Sequence, residues 1–270
     1  MCLLTFLPAG VMPNLEALTN GTMLNNDGHG FAIVTNDRLL VHRGMDAEQT
    51  IDAFAQTRAR HPDGPALFHS RFGTHGTTVL ENCHPIPVGG DTRTVIAHNG
   101  VLPKDVRPAI KDPRSDTRIA AEVFLPTFGS LKLRRNRLRL QRWMGQDNKM
   151  VILTVDRRFT RRAYILNEQA GTWDGGIWYS NDGYLTPAHH RRLGNLWWTV
   201  GWEPTGRYEA LERCWNCHAL TEADAPCAVC GCCLDCTAPV ERCLCYQPAA
   251  LTASADNDVV RTGPGAPPKR

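Results

Sequence analysis

Met1-Cys2-Leu3-Leu4-Thr5-Phe6-Leu7 opens the chain, and loss of the single methionine leaves a thiol and a free α-amine on adjacent carbons of one residue. A thiol with a pKa of about 8.5 beside an α-amine of about 7.7–8.0 can pass its proton to that amine near neutral pH, directly or through a water. One residue then supplies both nucleophile and base. The apolar run Leu3–Leu7, ended by Pro8 and Gly10, reads as a β-strand that carries this residue at its head. Many chains begin Met-Cys by accident, so the reading depends on partners further along.

The composition bounds the rest. The chain has 270 residues, 42% hydrophobic and 21% charged, which suits one sizeable core domain with a small appendage. The apolar opening, Leu3 to Val11, is too short for a membrane span and has no basic leader segment before it. A cytoplasmic location without a membrane partner is therefore expected. The net charge of +3 is too slight to imply a polyanionic partner for the whole molecule, although between Leu131 and Arg162 eleven Lys or Arg stand against two Asp. Of eleven cysteines, nine lie between Cys214 and Cys245. This divides the chain into a domain over residues 2–200, a Cys-rich module over 210–246 and a polar, Pro- and Gly-rich tail over 247–270 expected to be disordered.

Short β-rich segments recur through the first part: Leu3–Leu7, Gly30–Thr35, Leu39–Arg43, Ala66–Arg71, Thr94–His98, Met150–Val155, Ala163–Asn167 and Ile177–Ser180. Helical character is confined to Asp46–Arg60, with Ala47, Ile51, Phe54 and Ala55 on one face, and to Asp116–Phe128, opened by Ser115 as an N-cap. Many strands and few helices predict an α+β sheet sandwich. The order is not a regular βαβ alternation and no Gly-rich phosphate loop follows a strand, which argues against a doubly wound nucleotide-binding sheet.

Four loops between residues 27 and 117 combine Gly with Asp, Asn, His or Arg: Asp27-Gly28-His29-Gly30, His69-Ser70-Arg71-Phe72-Gly73-Thr74-His75-Gly76, His98-Asn99-Gly100 and Ser115-Asp116-Thr117. Attack on an amide carbonyl needs a nucleophile, donors for the developing oxyanion, and charges that hold the substrate. These loops offer candidates for all of them. Arg71 and Asp116 could instead pair with each other, and Asn99-Gly100 could be a hairpin turn. His69, His75 and His98 read as packing or hydrogen-bonding residues, and Cys83 as a small buried one.

Taken in order with Cys2, the four loops resemble the class II glutamine amidotransferases of the N-terminal nucleophile hydrolases, over roughly residues 2–190. The ordered set of five motifs is far more specific than any one of them. The resemblance implies a four-layer αββα sandwich in which Cys2 attacks the side-chain amide of glutamine, forms a γ-glutamyl thioester and releases ammonia. It assigns the oxyanion donors to the Asn99 side chain and the Gly100 N–H, the substrate α-carboxylate to Arg71, and the α-ammonium to Asp116. It places Thr74 and His75 in a loop that closes over the substrate, with Phe72 where the best-known members carry Trp. Asp27-Gly28-His29-Gly30 replaces the Asp-Ser-Ala-Gly of the sugar-phosphate branch, and Arg118 follows Thr117 where that branch often has Glu. Both differences point to a divergent stand-alone branch. No synthase domain follows to name the acceptor, so a partner enzyme is expected to receive the ammonia.

Cys214-Trp215-Asn216-Cys217 and Cys227-Ala228-Val229-Cys230 have the knuckle spacing of a zinc ribbon, in which four thiolates close a tetrahedral site. Cys233 and Cys236 with Cys243 and Cys245 would make a second four-Cys site. Alternating use of the pairs by two metals, and an iron–sulfur cluster, remain open from spacing alone. With too few residues to bury a core, the module would draw its folding energy from zinc, and docking to a protein is favoured over nucleic acid. The basic stretch over 132–142 reads first as a solvated face, with nucleic-acid contact as the minor reading. Two rival functions remain: cleavage of γ-glutamyl amides other than glutamine, and a non-catalytic zinc-dependent adaptor.

Overall fold

A computed structural model of the chain describes residues 2–185, 211–213, 220–222 and 231. Two antiparallel sheets form its core. The first has six strands in the order β3-β2-β4-β1-β10-β9: β1 (Leu3–Leu7), β2 (His29–Val34), β3 (Leu39–Gly44), β4 (Ala66–Ser70), β9 (Thr172–Asp174) and β10 (Ile177–Tyr179). The second has four in the order β5-β6-β7-β8: β5 (Ile86–Val88), β6 (Asp91–Asn99), β7 (Lys149–Thr154) and β8 (Ala163–Leu166). A separate hairpin pairs β11 (Leu211–Arg213) with β12 (Leu220–Glu222).

Alternation along the strands sorts the apolar side chains into three clusters. Leu4, Phe6, Ala32, Leu67 and Trp178 of the first sheet meet Val95, Ala97, Val151 and Leu153 of the second. Their chain neighbours Leu3, Phe31, Phe68 and Tyr179 point the other way, onto Leu18, Ile51 and Phe54 of helices α1 (Leu15–Leu24) and α2 (Ala47–Arg60). Ile96, Met150 and Ile152 pack against Ala120, Leu125, Leu140 and Met144. Those four belong to α3, a helix over residues 116–128, and to α4 (Arg134–Met144). Strands buried on both faces read as continuous apolar runs, which is why β1, β2, β4 and β7 stand out in the sequence.

The expected strands are all present, within a residue or so at most ends. Asp46 and Ser115 cap the two expected helices, accepting from Gln49 N and Arg118 N. Within α3, residues 120–124 form a π-turn just before Leu125-Pro126; the wider turn accommodates a proline that cannot donate to the helix ladder. Helices α1 and α4 are additions to the sequence reading. Gly21 in the middle of α1 allows close packing, since a Cβ there would lie 2.3 Å from Leu3 Cδ2.

Helix α4 takes up most of the basic stretch over 132–142. Arg137 is buried, its guanidinium 3.9 Å from the centre of the Tyr164 ring and its Nη1 donating to Leu131 O and Lys132 O. Arg139 lies 4.2 Å over the Phe128 ring and donates to Phe128 O. Two of its arginines thus anchor the helix to the domain, contacts that hold through guanidinium–ring stacking. No helix among the described residues is long and apolar enough to cross a membrane.

Candidate active site

Strand parity brings the candidate nucleophile and the candidate oxyanion donor to the same layer. Cys2 shares the face of Leu4 and Phe6, and Asn99 the face of Val95 and Ala97, so both belong to the layer between the sheets. Cys2 is partly buried. Its Sγ lies 3.3 Å from Phe72 N, which donates to it, and 3.5 Å from Phe72 O. Asn181 Nδ2 donates to the Cys2 carbonyl at 2.7 Å. Burial pushes the Cys2 thiol up; the Phe72 N–H, the positive chain terminus and Arg71 oppose this, and Asp116 adds to it. A thiol held protonated in this way requires a base to act as a nucleophile.

One cavity is lined by Cys2, Arg71, Thr74, His75, Gly100 and Asp116, together with Phe72, His84, His98, Ser115 and Thr117. Arg71 and Asp116 are buried at its walls and do not pair with each other. Arg71 Nη2 donates to His75 O at 2.9 Å. Asp116 Oδ2 accepts from Leu102 N at 2.8 Å, and its Oδ1 from Thr117 N at 2.7 Å. Asp116 sits in the first turn of α3, where the helix dipole favours a negative charge. Two opposite charges, each held by main chain, therefore face one space. That space is about 20 Å³, room for a single water.

Gly100 has φ +136°, and a Cβ there would meet Asn148 Oδ1 at 2.3 Å, so only glycine fits. Asn99 does not line the cavity; its Nδ2 donates to Ser180 Oγ at 2.9 Å. Asp27 Oδ2 accepts from Gly73 N at 2.7 Å and fixes the start of the loop after Arg71. Asn82, which sequence reasoning passed over, is fully buried and binds that loop to the cap of α3. Its Nδ2 donates to Thr77 O and Pro113 O, and its Oδ1 accepts from Ser115 N. The Asn82-Cys83-His84-Pro85 segment holds turn-forming and titratable residues together, and that density was the available signal.

Three buried histidines cluster at the cavity: His84 and His98 line it, and His69 lies beyond its lining. His98 N donates to His84 Nδ1 at 3.3 Å, which leaves the His84 proton on Nε2. His69 Nε2 lies 3.1 Å from both His84 Nδ1 and His98 O, bridging the two sheets. His98 Nδ1 meets Thr117 Oγ1 at 3.0 Å and its Nε2 meets Asn148 Oδ1 at 2.9 Å. Burial lowers all three, His69 to about 3 and His84 well below its ordinary value.

These histidines are neutral in the folded state and take up protons near pH 6.5 once unfolded. The unfolded state therefore binds more protons below pH 6.5, and stability falls as pH drops through that value towards about 3. Each histidine contributes at most about 1.4 kcal/mol per pH unit. Unfolding free energies from urea titrations at pH 7.5 and pH 5 are expected to differ by a loss of about 3 kcal/mol or more at the lower pH, read as a lower midpoint. That interval lies above the titration of the carboxylates Asp112 and Asp156, both lowered to about 2 by their arginine neighbours. Equal midpoints at the two pH values would show that the cluster is not buried neutral.

Cys214, Cys217, Cys227, Cys230, Cys233, Cys236, Cys243 and Cys245 lie outside the described residues.

No protein-family model matches the chain, and no curated protein matches it. Among solved structures, glutamine phosphoribosylpyrophosphate amidotransferase from B. subtilis, complexed with ADP and GMP, is 17% identical over 66% of this chain and 41% of its own, with a TM-score of 0.43. A structure described as the allosteric regulatory enzyme of purine biosynthesis is 15% identical over the same shares, with a TM-score of 0.40. A class II glutamine aminotransferase domain protein from Silicibacter pomeroyi is 15% identical over 58% of this chain and 79% of that one, with a TM-score of 0.29. The chain thus spans 41% of the length of the first two. At these identities and TM-scores the likeness decides nothing about the chemistry.

Proposed function

We propose that the chain is an N-terminal cysteine amidohydrolase of the class II glutamine amidotransferase type, built as a four-layer αββα sandwich. The observation that carries the reading is that Cys2, Arg71 and Asp116 line one cavity while the two charges remain unpaired with each other. An α-amino acid presents a carboxylate and an ammonium at one end, and a cation and an anion that line one cavity without pairing match that end. A planar guanidinium can make two parallel bonds to the carboxylate.

In this reading the α-amine of Cys2 takes the thiol proton and Sγ attacks the side-chain amide carbon. The oxyanion is met by the N–H of Gly100, which lines the cavity, and by the second N–H of Asn99 Nδ2, which the cavity reaches as it widens for substrate. Collapse expels ammonia, which receives the proton from the α-ammonium, and water then releases glutamate from the thioester. A cavity with room for one water must widen to admit glutamine, and the loop from Phe72 to Gly76 is the element that moves. Ammonia passes to an acceptor on a partner enzyme. The cysteine spacing supports a zinc module over 210–246; elemental analysis of purified protein giving less than one zinc per chain would remove it.

The test is ammonia and glutamate release from glutamine by protein whose intact mass shows loss of Met1. Turnover of γ-glutamyl conjugates alone would move the substrate. Failure of a glutamine-analogue electrophile to label Cys2, together with no turnover, would sink the enzyme reading.

A further inference from the structure

We infer that Ser180 is a positioning residue that orients the Asn99 amide as an oxyanion donor; this rests on the amidohydrolase reading above. Ser180 follows β10 and shares the face of Trp178, between the sheets, where it is fully buried. Its main chain joins β1 through Ser180 N to Leu4 O at 2.9 Å. Its Oγ accepts from Leu4 N and from Asn99 Nδ2, each at 2.9 Å. A hydroxyl oxygen has two acceptor positions, and here one comes from each sheet. The oxygen is thereby the point at which the strand bearing the nucleophile and the strand bearing the oxyanion amide are held in register.

The Asn99 amide has no other anchor among the described residues. Its Oδ1 is buried without a hydrogen-bond partner. A carboxamide is planar, so holding one N–H of Nδ2 fixes the plane and with it the direction of the second N–H. An amide turned by its own acceptor would satisfy Oδ1 first; this one is turned by Ser180. The next residue completes the arrangement: Asn181 Nδ2 holds the Cys2 carbonyl at 2.7 Å, and its Oδ1 is itself held by Gly183 N at 2.9 Å. Ser180 and Asn181 therefore set the donor and the nucleophile from one side.

A hydroxyl that only glued the sheets would, when removed, lower stability and leave the chemistry of the folded enzyme intact. Ser180→Ala is expected to lower kcat for glutamine about tenfold to a hundredfold while KM stays within about twofold, because an ill-aimed oxyanion donor loses much of its effect in the transition state alone. Adding Ser180→Ala to Asn99→Ala is expected to lower kcat no further, since the serine acts through that amide. Glutamate γ-semialdehyde gives a direct probe: the Cys2 thiol adds to its aldehyde carbon, the thiol proton ends on the new alkoxide or the α-amine, and the adduct needs the oxyanion donors. Its affinity is expected to fall about tenfold or more in Ser180→Ala while that of glutamate is unchanged.

Unchanged kcat, additive losses in the double variant, or equal weakening of aldehyde and glutamate would each overturn the proposal. If Ser180→Ala does not fold, Ser180→Cys, close in volume but a weak acceptor, carries the same predictions. Wild-type protein that neither turns over glutamine nor captures the aldehyde would overturn the amidohydrolase reading itself. An active wild type with an equally active Ser180 variant would overturn the serine assignment alone.

Discussion

Cys2→Ala is expected to reduce glutamine turnover on the order of a thousandfold or more, to background, because in the proposed mechanism its Sγ forms the acyl intermediate. The expectation is specific to chemistry. Sγ hydrogen-bonds the main chain of Phe72 and the residue lines a cavity rather than the packed core, so the variant should fold with a melting temperature close to that of the wild type. Glutamate binding should survive as well, since Arg71 and Asp116 are held by main-chain groups away from the thiol. Cys2→Ser keeps the α-amine but offers a hydroxyl that loses its proton far less readily than a thiol, so it should retain only a trace of activity. Turnover and ligand binding measured on the same preparations separate these effects. An alanine variant that retains even a few per cent of wild-type turnover would exclude Cys2 as the nucleophile.

Arg71→Ala is expected to raise KM for glutamine about a hundredfold with kcat within several-fold, a loss of about 3 kcal/mol in line with truncating one partner of a buried charged hydrogen bond. Arg71→Lys should recover little, because a point charge cannot make the paired bonds of a planar fork and would end short of His75 O. The cause lies in the pocket: a substrate carboxylate brought beside Asp116 with no cation opposite meets like charge and a desolvated wall. Removing Arg71 also frees the loop it holds through His75 O, so KM for glutamine and the inhibition constant of glutamate should both rise. A variant with KM within threefold of the wild type would show that Arg71 holds only its loop.

Several features are legible in the sequence because each depends on local chemistry. Strands buried on both faces appear as nearly continuous apolar runs, as in Leu3–Leu7 and His29–Val34, where Thr5 and His29 are the polar residues. Ser115 announces its helix because an N-cap side chain serves a backbone group three residues away, while the helix after Asp46 is announced by its apolar face. Features missed in the sequence follow from distant partners. Helix α1 contains Thr19-Asn20-Gly21-Thr22, weak helix formers, and its glycine is explained by Leu3 across the core. Strand β5 includes Pro87, and β9 is exposed along its whole length at a sheet edge. Helix α4 hid in a run of arginines, two of which lie over aromatic rings.

The candidate site divides the same way. By itself the sequence determined which chemical groups are available: a thiol at position 2, a cation at 71, an anion at 116, and a glycine after Asn99. Residue type and order along the chain suffice for that. Only the tertiary structure decided that Arg71 and Asp116 face one cavity without pairing, and that Asn99 is held by Ser180, 81 positions away along the chain. Those outcomes depend on which strands become neighbours and on their register, here β10 beside β1 and β6 facing them across the core. Burial then converts such neighbours into function, because a polar group removed from water is oriented by whichever partner the fold supplies.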